Sequence, residues 1–267
     1  MVLVNAANPF KAPVYYEEEV SSTMDIARDL AKKGAPHGSV IAADFQQAGR
    51  GRIQDRQWKT DRGKNLIFTI ILRFADYSAM PKALALKAGL AVSFGIEDFA
   101  PALKGDIMIK WPNDIMIRSV KTGQKGAGIL TEADGSTVYL GVGVNLFQRE
   151  FPLEYRAKAG SVILALEERG IYENELPPNG RYVLLEKILS RLYRELHDEE
   201  WAFSWQARLD RRLYKKGETV RFAEGAADSQ KITNGILKGI GPEGELLIVI
   251  EGETKERPFI TGELQVY

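Results

Sequence analysis

The chain has no cysteine in 267 residues. That excludes disulfides, thiolate nucleophiles and Cys-ligated zinc. An excess of one charge is missing too: Lys+Arg and Asp+Glu stand at 36 each. No long-range field therefore gathers nucleic acid or an anionic membrane surface, and neither is expected as a partner. Long hydrophobic runs are absent. The longest strongly apolar stretch, Leu66 to Leu72 with Thr69 inside it, falls far short of the about 20 residues a bilayer needs. Met1 to Phe10 has neither a basic n-region nor an apolar h-region, so no signal peptide is expected. Neither a Walker A loop nor a Gly-x-Gly-x-x-Gly fingerprint occurs. What remains is an ordinary globular mixture, 45 % apolar and 27 % charged, which points to a soluble cytoplasmic protein with a buried core.

Periodicity and punctuation predict an α+β fold. A helix is expected from Ser22, read as a capping box with Asp25, to a stop at Gly34. Ser39–Phe45 and Asn65–Phe74 read as buried strands, separated by a polar stretch rich in Gly and Arg from Gln46 to Gly63. A helix is predicted over Pro81 to Phe99, short strands over Asp106–Lys110 and Asp114–Ile117, and a hairpin over Ala127–Glu132 and Thr137–Val144 turning at Asp134-Gly135. Helices follow at Ser161–Glu168 and Asn179 to His197, with Glu199–Asp210 extending the helical region. After Leu213 the pattern changes to short strands, 218–222, 230–240, 246–251 and 256–260, separated by glycine turns. The expected architecture is a mixed sheet flanked by helices in residues 1–212, then a small SH3-like β-barrel in 213–267.

Four local patterns carry chemistry. Ser21-Ser22-Thr23 heads a helix, where unpaired N–H groups and hydroxyls suit a polar ligand. Gln46-Gln47-Ala48-Gly49-Arg50-Gly51-Arg52, continuing through Arg56 and Trp58, combines close backbone approach with guanidinium forks for phosphate or carboxylate. In Lys110-Trp111-Pro112-Asn113-Asp114 the proline breaks a strand and presents Asn113 and Asp114 at its end. Lys125-Gly126-Ala127-Gly128-Ile129-Leu130 and Gly141-Val142-Gly143-Val144-Asn145 pair across the hairpin, with Lys125 beside small residues. Each has a plain alternative when taken alone. Ser22 merely caps the helix, the arginine loop is solvated, Asn113-Asp114 is a turn, and Lys125 is a surface lysine.

Together, and in this order, the motifs at 46–52, 110–114, 125–130 and 141–145 resemble the catalytic domain of biotin–protein ligases. The motif resemblance runs from about Glu17 to Asn145, and the resemblance in organisation to Tyr267. It implies a class II synthetase or biotin–lipoate ligase-like fold and an AMP-forming enzyme dependent on ATP and Mg²⁺. Biotin would be converted to biotinyl-5′-AMP and passed to a lysine of a biotin carboxyl carrier domain. By the resemblance, Ser22, Thr23, Met24, Gln46, Gly49, Arg50, Gly51, Arg52 and Lys125 line the biotin pocket. Arg52, Arg56, Trp58, Asn113, Lys125 and Asn145 serve ATP, and Lys125, Arg50, Arg52 and Asp114 are the catalytic candidates. Asp114 would position or deprotonate the carrier amine. No protein ligands for a metal are assigned.

Two departures from the family pattern stand out. The stretch Ile53-Gln54-Asp55-Arg56-Gln57-Trp58 lacks the family's third glycine, is one residue longer, and sets Asp55 where phosphate is expected. Weaker retention of the adenylate follows. Met24 also stands where the family commonly has a polar residue, so one ligand contact is lost or altered. Only about 15 residues precede the motifs, too few for a helix-turn-helix domain, so no repressor role is expected. The alternatives are a lipoate or octanoate ligase of the related family, or a non-catalytic biotin sensor. A sheet edge able to join two chains in a homodimer, or to meet the carrier, is expected but unassigned.

Overall fold

The computed structural model describes residues 1–52, 58, 60–118, 123–153, 155, 158–225 and 231–265. In chain order the elements are β1 (Val2–Leu3), β2 (Val14–Val20), α1 (Thr23–Lys32), β3 (Val40–Gln46), β4 (Leu66–Arg73), α2 (Leu84–Phe99), β5 (Ile107–Lys110) and β6 (Asp114–Arg118). Then come β7 (Gly123–Asp134), β8 (Thr137–Val144), α3 (Val162–Glu167), α4 (Gly180–His197), α5 (Glu199–Phe203) and α6 (Trp205–Asp210). The last strands are β9 (Thr219–Glu224), β10 (Ile232–Ile240), β11 (Leu246–Ile250), β12 (Glu256–Phe259) and β13 (Gly262–Gln265). The α+β expectation holds: a mixed eight-stranded sheet, β1-β2-β3-β4-β8-β7-β6-β5, is followed by a five-stranded antiparallel one, β12-β11-β10-β9-β13. In the large sheet only β2 and β3 run parallel, joined by α1.

Alternation along the strands assigns the two faces of the large sheet. Leu66, Phe68, Ile70 and Leu72 of β4 and Val138, Leu140, Val142 and Val144 of β8 are buried in the main core, which α2 and α4 cover. On the other face Ile41, Ile71 and Tyr139 pack beneath Met24, Ala27 and Leu30 of α1. Tyr77–Phe99 is apolar enough to pass as a membrane span by composition, but its helical core α2 has 16 residues and packs between α4 and strands β5 to β7.

Several boundaries differ from the sequence reading, each for a local reason. Ser22 caps α1 by accepting from the Met24 N–H, but no capping box forms, because the Asp25 carboxylate is engaged by Arg28 and Arg50. Gly34, at φ +90, supplies the left-handed stop. The second helix begins at Leu84 rather than Pro81, with Ala83 at its cap in the left-handed region. Strand β2 went unpredicted because Glu17, Glu18 and Glu19 break its apolar alternation. Strand β13 was missed because its sequence, Gly-Glu-Leu-Gln, offers Leu264 as its single apolar side chain. The Trp111-Pro112 peptide bond is cis, inside the turn between β5 and β6.

The second sheet sits against the first. Trp111 donates its indole N–H to the Gly244 carbonyl (2.9 Å) and lies 6.0 Å from the Phe222 ring. Gln206 donates to the Ile240 carbonyl (2.6 Å). The chain between the sheets runs along β5, with the Tyr214 N–H bonded to the Ile109 carbonyl (2.8 Å) and Ile109 N–H to that of Arg212 (2.7 Å). That pairing covers the β5 edge.

Candidate active site

A cavity of about 60 Å³ opens on the α1 face of the large sheet. Its floor is made by glycine. Gly128 and Gly143 are direct partners between β7 and β8, and Gly141 pairs with Leu130. A Cβ on Gly143 would lie 2.6 Å from the Trp58 ring, and one on Gly128 would lie 3.1 Å from it. The missing side chains therefore admit the indole of Trp58, which lies on the floor with its N–H buried and without a partner among the described residues.

One end of the cavity is neutral and polar. The Gln46 amide oxygen accepts from both the Thr23 N–H (2.8 Å) and the Thr23 hydroxyl (3.0 Å). The Thr69 hydroxyl, from β4, donates to that of Thr23 (2.9 Å). Ser22, Thr23 and Gln46 are buried, and the N–H groups of the helix start are satisfied by Gln46, the Ser22 hydroxyl and the Ser22 carbonyl. The polar groups turned to this enclosed space are therefore side-chain hydroxyls and the Gln46 amide. Met24 is buried beside them, its sulfur 2.9 Å from where a Cβ on Gly141 would be. The thioether thus covers the floor where a polar residue was expected.

The other end is cationic. Lys125 and Gly128 lie three apart in β7, which in a regular strand would put them on opposite faces. The register slips by one residue between Ile115 and Met116, leaving Gly126 as a bulge. The bulge turns Lys125 to the cavity face, where its ammonium lies 5.6 Å from the Trp58 ring centroid. Asp114 orients it from behind, at 2.6 Å. The backbone of Lys125 is pinned on its other side by Lys158 and Gly160 (2.8 and 3.0 Å). Arg50 bonds to Asp25 at 2.7 Å and approaches Glu132. The Asp25 hydrogen bond pushes the Arg50 pKa above its ordinary value and keeps it charged. Arg52 reaches the second sheet, donating to the Gly262 carbonyl (3.2 Å).

Of the residues singled out in the sequence, Ser22, Thr23, Met24, Gln46, Arg50, Gly51, Arg52, Trp58, Asn113 and Lys125 line this cavity. Gly49 lies behind it, where a Cβ would strike the Trp58 carbonyl and Gln46 amide. Asp114 stands behind Lys125, and Asn113 donates to the Ile129 carbonyl (2.7 Å). Asn145 is not on the wall: it is buried, and its amide donates to the Gly160 carbonyl (3.0 Å). Arg56, and with it Gln54 and Asp55, lies outside the described residues. Thr69 and Lys110 were given no role in the sequence reading, although Lys110 opens the 110–114 motif. The only trace of Thr69 was a polar residue in an otherwise apolar strand.

Comparison with known proteins identifies the family. The model of the biotin/lipoate A/B protein ligase family matches residues 16–145. The biotin–[acetyl-CoA-carboxylase] ligase of Paracoccus denitrificans is 31 % identical over 222 residues, covering 78 % of this chain and 82 % of that protein. The chain belongs to the biotin–protein ligase family. The bifunctional ligase/repressor BirA of Bacillus subtilis is 38 % identical over 161 residues, 58 % of this chain. The match spans about half that relative's length, 47 %. Among solved structures, a point mutant of the biotin protein ligase from Aquifex aeolicus in complex with biotin superposes with a TM-score of 0.74. It is 25 % identical, over 94 % of this chain and 97 % of that one.

Proposed function

We propose that the chain is an ATP-dependent biotin–protein ligase. The observation that carries this reading is one cavity with a neutral hydrogen-bonding end and a cationic end joined by a glycine floor. The fused ureido ring of biotin is uncharged and offers donors and an acceptor, matching Ser22, Thr23 and Gln46. Gly49 and Gly51 let the loop backbone close on it, and Met24 packs against its apolar side. The carboxylate then points toward Lys125, with Arg50 and Arg52 at the same mouth.

In the first half-reaction a biotin carboxylate oxygen attacks the α-phosphorus of ATP. A new O–P bond forms and the bond to pyrophosphate breaks. Negative charge grows where Lys125 and Arg52 supply fixed cations, the arrangement that contributes most in phosphoryl chemistry. In the second half-reaction a neutral lysine amine of a biotin carboxyl carrier domain attacks the mixed anhydride and expels AMP. The amine's proton is lost in that step, and Asp114 is the candidate acceptor. Because Asp114 already pairs with Lys125, orienting Lys125 is its first role. Trp58, Asn113 and Arg56 belong to the nucleotide side. Asn145 serves there indirectly, by holding the Gly160 backbone beside Lys125. Ligand entry requires Trp58 to leave the floor, since about 60 Å³ is well below the about 300 Å³ of a small-ligand pocket.

Among the described residues no group of three His, Asp or Glu is placed to hold a metal. Magnesium would arrive with ATP as the Mg–ATP substrate and would offset part of the phosphate charge. Residues 1–212 form the catalytic unit and 213–267 the accessory one. The setting is cytoplasmic, where ATP and the carrier are found. Strand β1 leaves an edge of the large sheet with Val2 and Leu3 exposed, which suits strand pairing with the carrier or with a second copy in a homodimer.

Mass spectrometry of the protein incubated with Mg–ATP and, separately, biotin, lipoate and octanoate tests the reading. Biotinyl-AMP and pyrophosphate from biotin alone are expected. Adenylate from lipoate or octanoate would move the chain to the other side of the family, and biotin bound without turnover would make it a sensor.

A further inference from the structure

Lys110 lies outside the cavity wall and takes no part in the chemistry above, yet its side chain is 3 % exposed. A lysine so deeply buried needs its charge neutralised where it stands. It is the direct cross-strand partner of Asp114 in the β5–β6 hairpin, so both project from the same face of the sheet. Its ammonium lies 3.8 Å from one Asp114 oxygen, while the other Asp114 oxygen holds Lys125 at 2.6 Å. On its far side Glu263 of β13 approaches to 4.0 Å. The four groups form an alternating line, Glu263, Lys110, Asp114, Lys125, running from the second sheet to the mouth of the cavity.

We propose that Lys110 is a positioning residue for adenylate formation: it shares the Asp114 carboxylate and thereby sets where, and how tightly, Lys125 is held. This rests on the ligase reading. A carboxylate divided between two ammonium groups grips each less than a carboxylate facing one, so Lys125 remains able to turn toward a developing phosphate charge. Without Lys110, Asp114 binds Lys125 alone and draws it back from the cavity. Because Glu263 belongs to β13, the seating of the second sheet reaches Lys125 through this line. Arg52, bonded to the neighbouring Gly262 carbonyl, answers to the same strand.

The test is a double-mutant cycle on the full chain, using K110M, D114N and K110M/D114N. Biotinyl-AMP formation is followed alongside thermal unfolding and biotin binding. Wild-type protein is assayed first, and absence of biotinyl-AMP there would sink the ligase reading rather than the role of Lys110. With wild type active, K110M should lower kcat for adenylate formation by about 10- to 100-fold, the scale on which a misplaced catalytic group acts. The KM for biotin should change by less than about threefold, since the neutral end of the cavity is untouched. The decisive result is non-additivity: in the D114N background the K110M substitution should cost no further rate. Equal losses from K110M in both backgrounds would overturn the proposal, because a residue that only holds the fold together does not act through Asp114. If K110M does not fold, E263Q replaces it in the same cycle. It keeps both lysines, and a several-fold fall in kcat that vanishes with D114N is then expected. No fall in E263Q, or one that persists with D114N, would equally overturn it.

Discussion

The two faces of the large sheet are built from the same strands and obey opposite rules. On the α2–α4 face β4 and β8 present Leu66, Phe68, Ile70, Leu72, Val138, Leu140, Val142 and Val144, all buried in one core. On the α1 face the intervening positions at the cavity are Ile67 of β4 and Gly141 and Gly143 of β8, with Thr69 held against Thr23. Side-chain volume stabilises the first face, and its removal makes the second. The alternation of strands lets eight residues of β8 serve both needs without a separate loop for the site. Stability and chemistry thus lie about one pleat apart, and substitutions at adjacent positions should separate them.

The largest expected effects come from exchanging the rules. Leu72→Ala, at a fully buried position off the cavity wall, should lower the free energy of unfolding by about 2–5 kcal/mol in urea melts. Any adenylate formation by the folded fraction should remain near normal. Gly143→Val should do the reverse. Its Cβ would lie 2.6 Å from the Trp58 ring, so the floor is filled and adenylate formation should fall at least about 100-fold. Stability should change by no more than about 1 kcal/mol, valine being at home in a strand. If Gly143→Val unfolded the protein while leaving activity per folded molecule intact, the division between the faces would be wrong.

Charge on the cavity face sharpens the comparison. Lys125→Met should reduce adenylate formation by about 100- to 1000-fold, the usual loss for one fixed transition-state partner. Its unfolding midpoint should barely move, because the Lys125–Asp114 pair is partly solvated, with Lys125 34 % exposed. Asp114→Asn separates the two half-reactions. Supplied with preformed biotinyl-AMP, the variant should transfer biotin to the carrier more slowly if Asp114 takes the amine proton. Unchanged transfer together with slowed adenylation would leave Asp114 only the orientation of Lys125.

These faces were not equally legible. The core face of β4 reads directly as an apolar run, and Asp134-Gly135 marks the β7–β8 turn. The polar end of the cavity was anticipated only through the resemblance to biotin–protein ligases, since taken alone Ser22 reads as a helix cap and Gln46 as the start of a polar loop. The cationic end needed more than spacing. Lys125 faces the cavity only through the bulge at Gly126, and a one-residue slip leaves no mark in composition. Asn145, by contrast, turned inward to Gly160. The role of Lys110 was hidden because it depends on Glu263, distant in sequence and carried by a strand with a single apolar side chain. Met24 gave a usable signal: an apolar residue among polar neighbours, explained by its contact over Gly141.

The smallest expected effect lies at the outer end of the sheet, away from both the core and the cavity. There His37 sits against Phe10 (ring centroids 5.5 Å apart) and near His197 (6.3 Å), while Tyr193 stacks on His197 at 4.3 Å. His37 Nδ1 accepts from the Arg73 N–H at the end of β4 (2.9 Å). Burial, with a smaller contribution from His197, lowers the His37 pKa below its ordinary value. The folded state therefore favours the neutral ring. An unfolded chain titrates near the ordinary value of about 6.5, so on acidification it takes up the proton first. The stability contributed by neutral His37 is present above that value and is lost as pH falls through the folded pKa. The midpoint of thermal unfolding should decline from about pH 6.5 downward, and His37→Gln should flatten that part of the curve while leaving adenylate formation at neutral pH unchanged. A slope that persists in His37→Gln would place the acid sensitivity elsewhere. A loss of activity at neutral pH would tie this distant aromatic cluster to the cavity through β4, which carries both Thr69 and Arg73.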